Sequence, residues 1–281
     1  MSYRSYGEQV FAAGPDAPPG PLASIDGVTG LRGHASKTWQ TTRGRDTEKA
    51  EVFINELKEF ERTNDLPRFM VMSLGENHTE GTKPGAFTPK AKVASNDLAL
   101  GKIVEACSHG KFWKEMAIFV IEDDAQNGPD HVDAHRTVAL AISPYTRRGH
   151  LDSTFYTTTS LLRTMELILG LPPLSQYDAA STPMYESFTA TADLTPFKAL
   201  PARIDLQARN PETAPGAKKS LALDFSGYDH LTAEDEDTLN RVLWHSIKGE
   251  NTPYPAPVRR ALLAYSGRSL VTPHLDKDDD D

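Results

Sequence analysis

Apolar residues follow two rhythms along this chain, and the alternation between them predicts its folded elements. Over residues 47–63 (TEKAEVFINELKEFERT), Phe53, Leu57 and Phe60 recur on one face of a helix. A continuous apolar run, FMVMSL from Phe69 to Leu74, then has the length of a buried strand. Thr88-Pro89 reads as an N-cap with proline at the first helical position. The helix that follows carries Val93, Leu100, Ile103, Val104 and Cys107 inward and stops at His109-Gly110. Two more strands are expected at Ala117–Ile121 (AIFVI) and Val138–Ser143 (VALAIS). A third helix follows in SLLRTMELILG, with Leu161, Leu162, Met165, Ile168 and Leu169 as its apolar face. Far downstream, Thr232 and Asp235 form a capping pair ahead of Leu239, Val242 and Leu243, in a helix that closes near Gly249.

Strand, helix, strand, strand, helix, with strands apolar throughout, predicts an α/β fold whose sheet is covered on both faces by helices. The order divides the chain into three parts. Residues 1–46, rich in Gly, Pro, Ser and Thr, form an irregular segment; residues 47–200 form the α/β core. Residues 201–281 form an extension with one helix and an acidic tail ending in KDDDD.

With 281 residues and 38% hydrophobic content, the chain has enough apolar material for a substantial core. A formal charge of −9 argues against a nucleic-acid or anionic-membrane surface, both of which need clustered Lys and Arg. No run approaches the roughly 20 apolar residues of a membrane span. The opening MSYRSY has no apolar stretch of the kind a secretory signal carries. The single cysteine, Cys107, excludes an intrachain disulfide and leaves the compartment open.

Candidate chemistry gathers at the strand ends. Glu76, Asn77, His78 and Glu80 follow the first apolar run; Glu122, Asp123 and Asp124 follow the second, with Asp130, His131, Asp133, His135 and Arg136 close behind. Arg147, Arg148 and His150 follow the third. In a parallel sheet these three ends share one rim, where ligands bind. Adjacent carboxylates such as Asp123 and Asp124 repel unless a cation lies between them. Mixed carboxylate and imidazole donors suit Zn²⁺, Mn²⁺ or Fe better than Ca²⁺. Such an ion polarises a phosphoryl oxygen, and paired arginines complement the remaining phosphate charge. Each motif alone is weak. An acidic pair in a loop is commonly just solvated, and His131 and His135 share a face only if HVDAH is helical.

Three segments resemble the phosphoesterase family of the alkaline phosphatase superfamily, which includes bacterial acid phosphatases and phospholipases C. They are residues 76–106, residues 118–149 and the helix around residues 153–174. Members show an acidic pair, five residues, then Asp-His-Val; here Asp123-Asp124, AQNGP and Asp130-His131-Val132 keep that spacing, and an ISPY-basic-Gly segment follows. The resemblance implies part of a three-layer sandwich with a mostly parallel sheet. It also implies a phosphate ester substrate and a divalent metal, Zn or Mn, held by Asp123, Asp124, His78 and either His131 or His135. Arg147, Arg148 and His150 would face the substrate. Members commonly have Asp-His where this chain has Asn77-His78, and neutral Asn is a poor ligand.

Members also begin with a strand leading to a Ser or Thr nucleophile at a helix start. No such apolar strand precedes Thr47. The expectation is therefore a carboxyl-terminal half without its own nucleophile, working with a complementary amino-terminal half or as a homo-oligomer, or surviving as a non-catalytic module. Relatives are often exported. No C-x-P-x-R sequence surrounds Cys107, which argues against a sulfatase.

Overall fold

The computed structural model describes residues 1–7, 29–31, 33–41, 44–123, 128–130, 132–225 and 231–258. The chain is a mixed α/β protein. In order, its elements are β1 (Tyr3–Tyr6), α1 (Lys37–Thr41), α2 (Asp46–Thr63), β2 (Phe69–Met72), α3 (Pro89–His109), β3 (Ile118–Ile121), β4 (Ala139–Ile142), α4 (Thr158–Leu169), α5 (Gln176–Ala179), α6 (Ala217–Ala222) and α7 (Ala233–Lys248). Among the described residues, no helix is long and apolar enough to cross a membrane.

Among the described residues, two small sheets stand where one covered sheet is expected. β1 pairs parallel with β2, Tyr3 opposite Phe69 through Tyr6 opposite Met72. β3 pairs antiparallel with β4, Ile118 opposite Ile142 through Ile121 opposite Ala139. Only the first pair has the parallel direction the sequence suggested. Continuous apolar runs mark a strand but carry nothing about its direction.

β1 and α1 both lie inside the stretch read from the sequence as irregular. YRSY holds only two apolar-bodied residues, too few to show a period, yet Tyr6 is fully buried. The neighbouring chain adds one more rung, as Ser5 N–H donates to His34 O at 2.8 Å and Ser36 N–H to Ser5 O at 2.9 Å.

The core is the seam between α2 and α3. Phe53 and Leu57 from α2, Ile103 and Cys107 from α3, Tyr6 from β1 and Trp39 from α1 form one buried cluster, with Met70, Met72 and Ile118 packed against it. α3 lines this seam with Ala91, Ser95 and Ala99, small side chains that let the two helices approach closely. Val93, expected inward, is 52% exposed. It lies on the opposite face from that small-residue stripe, which hydrophobicity alone does not reveal. α4 behaves similarly: its buried positions are Ser160, Leu161, Thr164 and Glu166, while Ile168 faces solvent.

The stretch past Leu200 is bound to the core. Arg45 Nη1 donates to Leu206 O at 2.7 Å, Thr82 N–H to Ser220 Oγ at 2.9 Å, and Thr82 Oγ1 to Pro215 O at 2.7 Å. α7 forms as its capping pair predicts, with Asp235 N–H donating to Thr232 Oγ1 and Leu239 and Val242 buried.

Candidate functional site

The end of β2 is held by a reciprocal clamp at the start of α2. Asp46 N–H donates to Glu76 Oε2 at 2.9 Å, and Glu76 N–H donates back to Asp46 Oδ2 at 2.8 Å. A carboxylate at a helix amino terminus is stabilised by the unpaired N–H groups there. Arg45 adds an ion pair to Glu76, and Asn96 Nδ2 donates to both Asp46 Oδ2 and Leu74 O. Glu76 is therefore a structural anchor. It presents the next turn, in which His78 N–H donates to Gly75 O at 3.2 Å and the His78 ring is exposed. Lys92 Nζ closes the loop on His78 O at 3.3 Å. Burial pushes the Lys92 ammonium's pKa below its ordinary value, an effect that Glu80 and Glu76 oppose.

β3 and β4 are joined by a single connection, residues 122–138, which carries most of the candidate ligands. Its base is tied by Glu122 N–H to Val138 O at 3.1 Å and by Thr137 Oγ1 to Glu122 O at 3.0 Å. Asp123 is exposed just beyond this base. Asp124 and His131 lie outside the described residues. Further round, Asp130 Oδ1 accepts the N–H groups of Val132 (2.6 Å) and Asp133 (3.0 Å), and Arg136 Nη2 lies 2.9 Å from Asp130 Oδ2. The Arg136 guanidinium, helped by the Val132 N–H, holds the Asp130 carboxyl down at about 2.

His135 is exposed, its Nδ1 is 2.8 Å from Asp133 Oδ1, and its backbone N–H donates to the same oxygen at 2.8 Å. A carboxylate on Nδ1 fixes the ring and the tautomer that leaves Nε2 as an electron-pair donor, the arrangement typical of metal-binding histidines. The segment is a turn, with Arg136 N–H donating to Asp133 O, so a helical HxxxH face does not form here.

The basic group after β4 stands elsewhere. Because β4 runs antiparallel to β3, its carboxyl end at Ile142 pairs with the start of β3 at Ile118. Arg147, Arg148 and His150 therefore leave the hairpin from the end opposite Asp123, which corrects the expectation of three strand ends on one rim. Their local partners fit a fastening role. Arg147 lies 3.9 Å from Glu186, and its backbone N–H donates to Ser187 O at 3.0 Å. Arg148 pairs with Asp193 at 3.0 Å, donates to Thr195 O and stacks on Phe197 with its guanidinium carbon 4.2 Å from the ring centre. His150 is exposed and donates its backbone N–H to Arg147 O.

Among the described residues, no group of three or more His, Cys, Asp or Glu side chains is placed to hold a metal ion. His78, Asp123 and His135 thus do not by themselves complete a divalent site. Cys107 offers no reactive thiol: it is buried in the α2–α3 seam, and that burial, reinforced by Glu61, pushes its thiol up to about 12. The clamp of Arg45, Asp46 and Asn96 is the part that the sequence reading did not anticipate. Its signal was Asp46 in the first helical turn, facing an acid-rich loop thirty residues on. No protein-family model and no curated protein matches the chain.

Proposed function

We propose that the chain is a metal-dependent phosphoesterase module that binds Zn²⁺ or Mn²⁺ on the β3–β4 connection. Asp123, Asp124 and a histidine from His131 or His135 would be the ligands, with His78 approaching from the end of β2. The observation that carries this reading is the connection itself: the chain between β3 and β4 carries exposed Asp123 and a His135 ring oriented by Asp133. Carboxylate plus oriented imidazole is a donor set for these ions, and a bound divalent cation would stabilise charge developing on a phosphoryl group. Arg147, Arg148 and His150 have no part in it, since they leave the opposite end of the hairpin. Arg136 is the guanidinium on the same loop.

A second reading is a non-catalytic metal-binding module. The ion pairs of Arg136, Arg147 and Arg148 with Asp130, Glu186 and Asp193 favour it, because those carboxylates compete with phosphate for each guanidinium. Calorimetric titration with Zn²⁺ and Mn²⁺, together with turnover of p-nitrophenyl phosphate, separates the two. Binding and turnover both lost in Asp123→Ala supports the phosphoesterase. Binding without turnover, both by this chain alone and with a complementary amino-terminal half added, supports the second reading, and absence of binding in the wild type defeats both.

A further inference from the structure

One face of the β3–β4 sheet is covered at one end and bare at the other. Side chains alternate along a strand, so Ile118 and Val120 share a face with Ile142, Leu140 and Val138. The Glu122 N–H to Val138 O bond carries the ladder one step beyond β4 and keeps Val138 in line. At the far end of this face Ile118 packs against the central core. At the end nearest the 122–138 connection, Val138 is 60% and Leu140 41% exposed. The opposite face is met by Phe188, whose ring centre lies 6.3 Å from that of Phe119.

The chain returns to the bare end. Val258 O accepts the N–H of Ala134 at 2.6 Å, and Ala134 is 2% exposed. Val258 is the last described residue. Beyond it the sequence reads Arg259-Arg260 and then ALLAY, residues 261–265. Val138 stands four positions after Ala134, as Leu262 stands four positions after Val258. Four residues span at most about 14 Å, so from one shared hydrogen bond both chains can reach the same point. Charge favours the same approach. The connection carries five carboxylates, Glu122, Asp123, Asp124, Asp130 and Asp133, against one guanidinium, Arg136. Two further arginines entering beside it are attracted to it.

We propose that residues 261–265 dock on the bare end of the β3–β4 sheet. Leu262 and Leu263 cover Val138 and Leu140, and Arg259 and Arg260 lie along the acidic connection. Removing these apolar side chains from water supplies the attraction. The connection, already tied at its base by Glu122 and Val138, is then held at Ala134 as well. This assignment stands whether or not the connection binds a metal.

Val138→Cys in the full chain tests the docking, because Cys107 is buried and the introduced thiol is the accessible one. Its alkylation by iodoacetamide should be slow, and about tenfold or more faster once Leu262→Asp and Leu263→Asp are added. Equal rates with and without the two aspartates overturn the proposal. So does protection that weakens on dilution, which would place a second copy of the chain on this face. Hydrogen exchange of the natural chain decides the matter if the variants do not fold. Relative to their intrinsic rates, amides of residues 261–265 should exchange about tenfold or more slowly than those of residues 275–281. Equal protection in the two segments overturns the proposal.

Discussion

Glu56 shows how one charged side chain can secure a strand. Its Oε2 accepts from Arg4 Nε at 2.7 Å and Tyr6 Oη at 2.9 Å, and its Oε1 accepts from Ser36 Oγ at 2.5 Å. These three donors come from β1 and the chain before α1, and all converge on α2. Burial acts to raise the Glu56 carboxyl, but the bonds from Arg4 and Ser36 outweigh it and leave it below its ordinary value. Glu56→Ala strands a fully buried tyrosine hydroxyl and should cost about 2 kcal/mol in denaturant unfolding. The folded value being lowered, Glu56's contribution is present above the unfolded carboxylate's titration and lost as pH falls through the folded one. Glu56→Gln should therefore flatten the acid side of the stability profile, measured as unfolding midpoint against pH.

Elements are joined here by close backbone approach. α6 begins at Gly216, whose φ of +78° is rare for a residue with a side chain, and a Cβ there would stand 2.8 and 2.9 Å from the two γ carbons of Val242. Val242 is buried on α7, so neither helix can yield without disturbing the other. Gly216→Ala combines backbone strain with overlap and should destabilise by about 2 kcal/mol, read as a lower urea midpoint. The β3–β4 hairpin shows the opposite condition. Val138 is 60% and Leu140 41% exposed, so an apolar strand lies partly uncovered.

Across the whole molecule, Arg45 is the residue that ties distant parts together. It pairs with Glu76 after β2, donates to Ala91 O at the start of α3 at 3.1 Å and to Leu206 O at 2.7 Å, and lies 3.9 Å from the Phe87 ring centre. Arg209 lies 4.1 Å from the same ring centre and donates to Gly85 O at 2.7 Å, so residues 205–210 are held by two guanidinium groups against one aromatic ring. Arg45→Ala should lose about 3 kcal/mol and make the chain after Arg203 and Arg209 more sensitive to trypsin, followed by mass spectrometry of the fragments. At this scale too, the proposed metal site makes its own prediction. Asp123→Ala should abolish calorimetric Zn²⁺ or Mn²⁺ binding and leave the unfolding midpoint without metal unchanged, because Asp123 is exposed.

The amino-acid sequence by itself determined the long helices and the apolar strands. Apolar periodicity, the Thr88-Pro89 cap and the Thr232–Asp235 pair are local signals that need no partner to be read. It also placed the acids and imidazoles on the loops after β2 and β3. Tertiary structure alone decided strand direction, and with it that Arg147, Arg148 and His150 leave the hairpin away from Asp123. It alone decided that Ser160, Thr164 and Glu166 turn inward on α4 while Ile168 turns out; for Thr164 the partner is Met184 N–H, twenty residues away and invisible to a periodic pattern. β1 was hidden for the same reason: two tyrosines become a buried strand only when β2, Glu56 and Trp39 are brought around them.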